Sequence, residues 1–183
     1  MRTSETEIVK RAEHATHSEE LLQLVSFNLD NEEYGMEILR VQEIIRMQGL
    51  TRVPNSPHFV DGVINLRGKV IPVIALRKRF GLDARPNDKQ TRIVVTEVSG
   101  AIIGFVVDSV SEVLRIPANT IEPAPRLGNV NQEFVAGVAK LEGRLLILLD
   151  VERVMSEEES LALASPQELL PGAIAEEGVL ANA

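Results

Sequence analysis

The chain has 183 residues, no cysteine, 3% aromatic residues and a formal net charge of −8. These numbers exclude disulfides, thiolate nucleophiles and cysteine zinc sites, and they leave few aromatic platforms for single-stranded nucleic acid. Residues 1–20 carry three basic and five acidic side chains and residues 156–183 six acidic and none basic. No basic stripe offsets the acidic ends, which argues against nucleic acid and anionic lipid as partners.

In chain order, residues 1–20 are polar, lack the apolar core of a signal peptide and are expected to be a mobile extension. LVSFNL (24–29) is rich in strand formers, and DNEE (30–33) reads as a turn into a second strand that opens at Gly35. A third β-branched run, around VQEIIR, leads into a proline-rich connection. There Ser56–Pro57 has the form of a helix start, with Gly62 ending a short helix. GVINLRGKVIPVI (62–74) then reads as a hairpin, with Leu66, Arg67, Gly68 and Lys69 at the tip.

From residue 89 the order begins again. YGMEILRVQEIIR (34–46) aligns with IGFVVDSVSEVLR (103–115) at an offset of 69, and LVSFNL with IVVTEV (93–98) at the same offset. FVDGVINLRGKVI (59–71) aligns with FVAGVAKLEGRLL (134–146) at an offset of 75, with six of thirteen positions identical. The change of offset places an insertion around PAPRLGNVNQ (123–132) in the second copy, and Gly137 takes the place of Gly62. Such self-similarity predicts one structural unit built twice. Short β-runs punctuated by Gly and Pro predict that each unit is a small barrel or sandwich. After Asp150, VERVMSEEESLALA has helical spacing and predicts one closing helix, and from Ser165 an acidic tail is expected to be disordered. The longest aliphatic stretches, such as Ala101–Val107, are too short to span a bilayer.

Catalytic groups are scarce. His14 and His17 lie in the polar N-terminal segment, and His58 sits in the expected short helix without an obvious partner. No phosphate-cradling glycine motif occurs. No cofactor or metal is therefore expected, and a scattered Asp/Glu pair is the one enzymatic alternative left. The two copies instead show a reversal of charge at the hairpin turn. Val63/Val138 and Leu66/Leu141 recur and read as core, whereas Arg67 is replaced by Glu142. The hairpin does not need arginine there, which singles out Arg67. Glu43 recurs as Glu112 within apolar surroundings, and a Glu43–Arg67 ion pair is open.

EEYGMEILRVQEI (32–44), TRVPNSPHFVDGVINLRGKVIPV (51–73), GFVVDSVSEV (104–113) and IEPAP (121–125), in this order, resemble the CheW family of chemotaxis coupling proteins from about Leu22 to about Met155. The resemblance implies a mainly β fold of two tandem pseudo-symmetric SH3-like five-stranded barrels packed on each other, with short helices and a C-terminal helix. It places a first barrel at about 21–88 and a second at about 89–150 within a domain of residues 21–155, leaving strand exchange between them open. Residues 156–183 would be a tail that is helical at its start. The function implied is a non-enzymatic, cytoplasmic adaptor recruited to the membrane-associated chemoreceptor array. It would join the regulatory domain of a CheA-type histidine kinase to the cytoplasmic hairpin tip of methyl-accepting chemoreceptors. A CheW-like scaffold in a paralogous pathway, such as surface motility or gene regulation, is the alternative. Positions matching the family's receptor-binding motifs are Val41, Glu43, Gly62, Asn65, Leu66, Arg67 and Gly68, with Arg67 near Glu43. Kinase contacts would lie at the barrel ends, with no residues assigned.

Overall fold

In the computed structural model, residues 20–125 and 133–164 are described. The Val-, Ile- and Leu-rich runs form eleven strands. These are β1 (Leu21–Leu29), β2 (Glu32–Glu37), β3 (Val41–Arg46), β4 (Val60–Leu66), β5 (Lys69–Ala75), β6 (Arg92–Val98), β7 (Ala101–Val107), β8 (Ser109–Pro117), β9 (Ile121–Glu122), β10 (Val135–Leu141) and β11 (Arg144–Leu149). Three short helices follow β5 and β11: α1 (Leu76–Arg79), α2 (Val151–Val154) and α3 (Glu157–Ala164). The expected polar extension and the disordered part of the tail lie outside the described residues.

The strands form two sheets, ordered β8-β1-β2-β11-β10-β9 and β3-β6-β7-β5-β4. The sheets and the sequence repeat divide the chain differently. β1 and β2 of the first copy join β8 to β11 of the second, and β6 and β7 of the second join β3 to β5 of the first. Each barrel thus borrows a hairpin from the other half, and the expected boundary near residue 88 does not separate the sheets. The exchange is symmetric. Parallel ladders at Val73–Gly104 and Leu148–Gly35 are the same pair of repeat positions with the copies interchanged. Space is tight at both glycines: a Cβ on Gly104 would sit 2.7 Å from Ile93 Cγ2, too close without a shift, and one on Gly35 would sit 3.0 Å from the Leu146 Cδ2 methyl, which would have to give way.

Three apolar cores follow from this arrangement. One fills the five-stranded barrel with Ile64, Ile71, Val73 and Ile93. Their repeat counterparts Ala139, Leu146, Leu148 and Leu24 fill the other barrel. The largest core lies between the sheets, where Phe27, Met36 and Leu149 meet Ile74, Val94 and Phe105. Nearly all the aromatic residues are spent here: Phe27, Tyr34, Phe80 and Phe134 form a chain of ring contacts 4.3 to 5.9 Å apart. An ionic clamp closes the junction at its edge. Arg77 Nε and Nη2 donate to the two Asp108 oxygens at 2.8 and 2.7 Å, and the Asp30 N–H donates to Asp108 Oδ2 at 2.8 Å. Burial alone would raise the Asp108 carboxyl, but the Arg77 hydrogen bond, the Asp30 N–H and the charges of Arg77 and Arg85 outweigh it and hold it below the usual range.

Two local expectations are corrected. No helix forms over 56–62; Ser56 Oγ donates to the Val53 carbonyl in a turn, and Gly62 and Gly137 lie inside β4 and β10. Pairing of Val60–Leu66 with β5, and of Val63 with Thr51, takes the backbone groups that a helix would use. The closing helix is two helices broken at Met155–Ser156. Ser156 restarts the second: Glu159 N–H donates to Ser156 Oγ at 3.1 Å, and Ser156 N–H donates to Glu159 Oε2 at 2.8 Å. This reciprocal pair is a capping box. Arg79 fastens it to the body, with Nη1 and Nη2 donating to Glu159 at 3.2 and 3.0 Å.

Candidate functional site

The β4–β5 hairpin turns through Arg67 at φ 53° and Gly68 at φ 83°. Positive φ at both central residues is the requirement of a type I′ turn, which matches the twist of the flanking strands. Glycine meets it without strain, but an L-residue in this region is disfavoured by about 1–2 kcal/mol. Asn65 Oδ1 accepts the Gly68 N–H at 2.8 Å and pins the turn. Glu142, at the equivalent position of the β10–β11 hairpin, is absent from the non-glycine residues with positive φ. The two turns therefore differ in backbone as well as in charge.

The left-handed backbone aims Arg67 across the barrel opening. β3 and β4 are the two ends of the five-stranded order, and Thr51 and Val63 exchange N–H···O bonds of 3.0 and 2.8 Å that bring those ends together. Closure puts the turn beside β3. Arg67 Nη1 and Nη2 donate to Glu43 Oε1 and Oε2, both at 2.8 Å, in a two-pronged contact. The Arg67 side chain is 76% exposed and that of Glu43 25%. The ion pair left open by the sequence is thus present, and its outer face is free for a partner.

The seven candidate residues do not form one patch. Glu43, Asn65, Arg67 and Gly68 gather at the tip, and Leu66 lies just below, packed on the five-stranded barrel's core. Val41 is separated from Glu43 by a bulge in the β3–β6 ladder and packs against the core between the sheets. Gly62 is buried four residues down β4, where a Cβ would stand 2.4 Å from the Thr51 carbonyl oxygen. Its role in the structure is close approach of backbone to backbone, at a φ of 151°.

The second copy shows what Glu43 does without its partner at the tip. Glu112 accepts from Arg144 Nη2 at 2.8 Å, and Arg144 also pairs with Glu33 at 3.2 Å. Arg144 corresponds to Lys69, so the counter-charge there comes from a strand residue instead of the turn. Four apolar side chains that patterning alone did not single out are also exposed in matching pairs: Ile44 with Val113, and Val70 with Leu145. They sit at equivalent places on the two barrels and enlarge the surface open to proteins. Only Ile44 could be read from alternation, on β3; Val70 and Leu145 lie at the exposed starts of otherwise mostly buried strands, and Val113 in an exposed stretch of β8, where no period of two marks them.

Comparison with known proteins places this architecture. The family model described as a CheW-like domain matches residues 23–159. Chemotaxis protein CheW of Helicobacter pylori is 40% identical over 141 residues, covering 77% of this chain and 86% of the relative. Chemotaxis protein CheW of Klebsiella aerogenes is 42% identical over 134 residues, covering 73% and 81%. The crystal structure of the scaffolding protein TtCheW from Thermoanaerobacter tengcongensis superimposes with a TM-score of 0.71 at 38% identity, covering 76% of this chain and 96% of that one.

Proposed function

The chain belongs to the CheW-like family, and on that premise we propose that this chemotaxis adaptor couples the cytoplasmic tips of chemoreceptors to a CheA-type histidine kinase. The observation that carries the reading is the Glu43–Arg67 pair, held on a turn whose left-handed backbone the fold does not otherwise require. Strain kept at an exposed, oriented charge points to recognition. Exposed aliphatic side chains such as Ile44 supply apolar area, while the fork of Arg67 sets register against a carboxylate on a receptor helix. The kinase is assigned to other faces of the two barrels, so that both partners bind together. No step in this role requires catalysis by the adaptor. No helix among the described residues is long and apolar enough to cross a membrane, so attachment to the array would run through the receptor.

The test is reconstitution. Receptor-containing membranes and a CheA-type kinase are mixed with and without this chain, and kinase activity is read against receptor ligand. Ligand control of the kinase is expected only when the chain is present. Control that is equally strong without it would overturn the proposal.

A further inference from the structure

Directly after the Arg67 turn, the parallel ladder of the five-stranded barrel starts two residues later than its counterpart in the other barrel. Parallel pairing of β5 with β7 is confined to Val73–Ala75 against Gly104–Val106. In the other barrel, β11 pairs with β2 over Leu146–Leu148 against Glu33–Gly35. By the repeat, Leu146 and Ile147 correspond to Ile71 and Pro72, and their partners Glu33 and Tyr34 to Ile102 and Ile103. Two pairs made in one barrel are thus missing from the other. Pro72 has no N–H to extend the ladder. It still sits opposite Val63 on β4, so the missing donor is on the β7 side.

Beyond that point β5 and β7 diverge around a groove of about 320 Å³. Val70, Pro72, Ala101 and Ile102 line it, Lys69 stands beside it, and Leu163 of α3 contributes a wall. Val70 is left 42% exposed. Each flanking strand is paired on its far side only along this stretch, so two strand edges face each other across an apolar gap. Such edges accept an extended peptide, which adds backbone pairing to side-chain burial.

We propose that this groove is the docking site of the chain's own C-terminal segment, seated through Leu169 and Leu170. Leu163 is already part of the groove, and Leu169 follows only six residues later, a span of at most about 20 Å. Ser165 and Leu170 precede Pro166 and Pro171, and a residue before proline favours extended backbone. Glu168 lies next to the leucines, and no basic residue occurs after Arg153. Lys69 beside the groove has no carboxylate partner among the described ion pairs, so the charges are complementary. A short tether supplies an effective concentration of about a millimolar, which lets a modest contact be populated. Lys69 of the groove lies two residues beyond Arg67, so a seated tail would occupy the same end of the barrel as the Arg67 turn and restrict a receptor's approach there. That consequence rests on the function proposed above; the docking itself does not.

Because the chain has no cysteine, disulfide trapping in the full-length protein tests the contact directly. Val70→Cys/Leu169→Cys is compared under mild oxidation with Leu145→Cys/Leu169→Cys. Leu145 is the repeat counterpart of Val70 and is 59% exposed. Lys69→Cys/Leu169→Cys, at another exposed position, gives a second readout should the Val70 variant misfold. Intramolecular crosslinking about ten-fold above the Leu145 control is expected from tethered proximity. Equal yields at the two faces would overturn the proposal, as would covalent dimers alone, which would mean that the tail of a second copy fills the groove.

Discussion

At Arg67 two effects of similar size oppose one another. The left-handed backbone costs about 1–2 kcal/mol for an L-residue, and an exposed ion pair returns about 0.2–1 kcal/mol. Arg67→Gly relieves the strain, loses the pair and gains unfolded-state freedom, so its melting temperature should stay within about 4 °C of wild type. Receptor binding should nevertheless fall, because the charged fork is gone; a large drop in melting temperature would show that the residue holds the fold. Asp108 behaves differently, since its partner Arg77 is 11% exposed and it is itself 13% exposed. Removing the Asp108 charge leaves Arg77 with only one carboxylate, the longer 3.3 Å contact to the exposed Asp30, and Asp108→Asn should cost about 2–4 kcal/mol in denaturant unfolding near pH 7. A carboxyl held below its unfolded value binds fewer protons in the folded state. Its contribution is therefore present above about pH 4 and fades as the pH falls further. Wild type should lose stability below about pH 4 more steeply than Asp108→Asn, and parallel pH profiles would contradict this assignment.

The hairpins illustrate how far elements could be read from the sequence. Asn65, Gly68 and the flanking aliphatic runs specify a tight turn on their own, and the repeat specifies it twice. The ion pair could be suspected but not located, because it depends on Thr51 and Val63 joining strands at opposite ends of the sheet order. Ser56–Pro57 imitates a helix start, so the local pattern makes Gly62 look like a helix end. What decides the matter is long-range: the Thr51 carbonyl lies against its Cα, and no local pattern carries that information. Gly62→Ala should therefore cost about 2 kcal/mol or more in denaturant unfolding. Gly68→Ala, with open space around its Cα, should cost nearer 1 kcal/mol from φ alone. Similar losses at the two sites would mean that contact with Thr51 is not what excludes a side chain from position 62.

For the molecule as a whole, the repeat foretold two related barrels but not which strands each would contain. The apolar runs of β1 and β7 mark them as core strands, β7 being buried on both faces, yet Val73 is as suitable a neighbour for Gly104 as any equivalent residue of the same copy. Exchange is settled by the connections and by the large core between the sheets, where Phe27 and Phe105 come from different sheets. The result is two similar but unequal barrels joined through one shared core, which suits the proposed role of holding two unlike partners. Its two equivalent turns carry opposite charges at Arg67 and Glu142, and the proposed receptor contact uses only Arg67. The most direct test is co-sedimentation of the full chain with receptor-containing membranes, comparing wild type, Arg67→Glu and Glu142→Arg at equal folded concentration. Arg67→Glu should bind at least about ten-fold more weakly, the loss expected when a pairing charge is replaced by a repelling one, while Glu142→Arg stays close to wild type. Undiminished binding by Arg67→Glu, or equal loss in both variants, would contradict it.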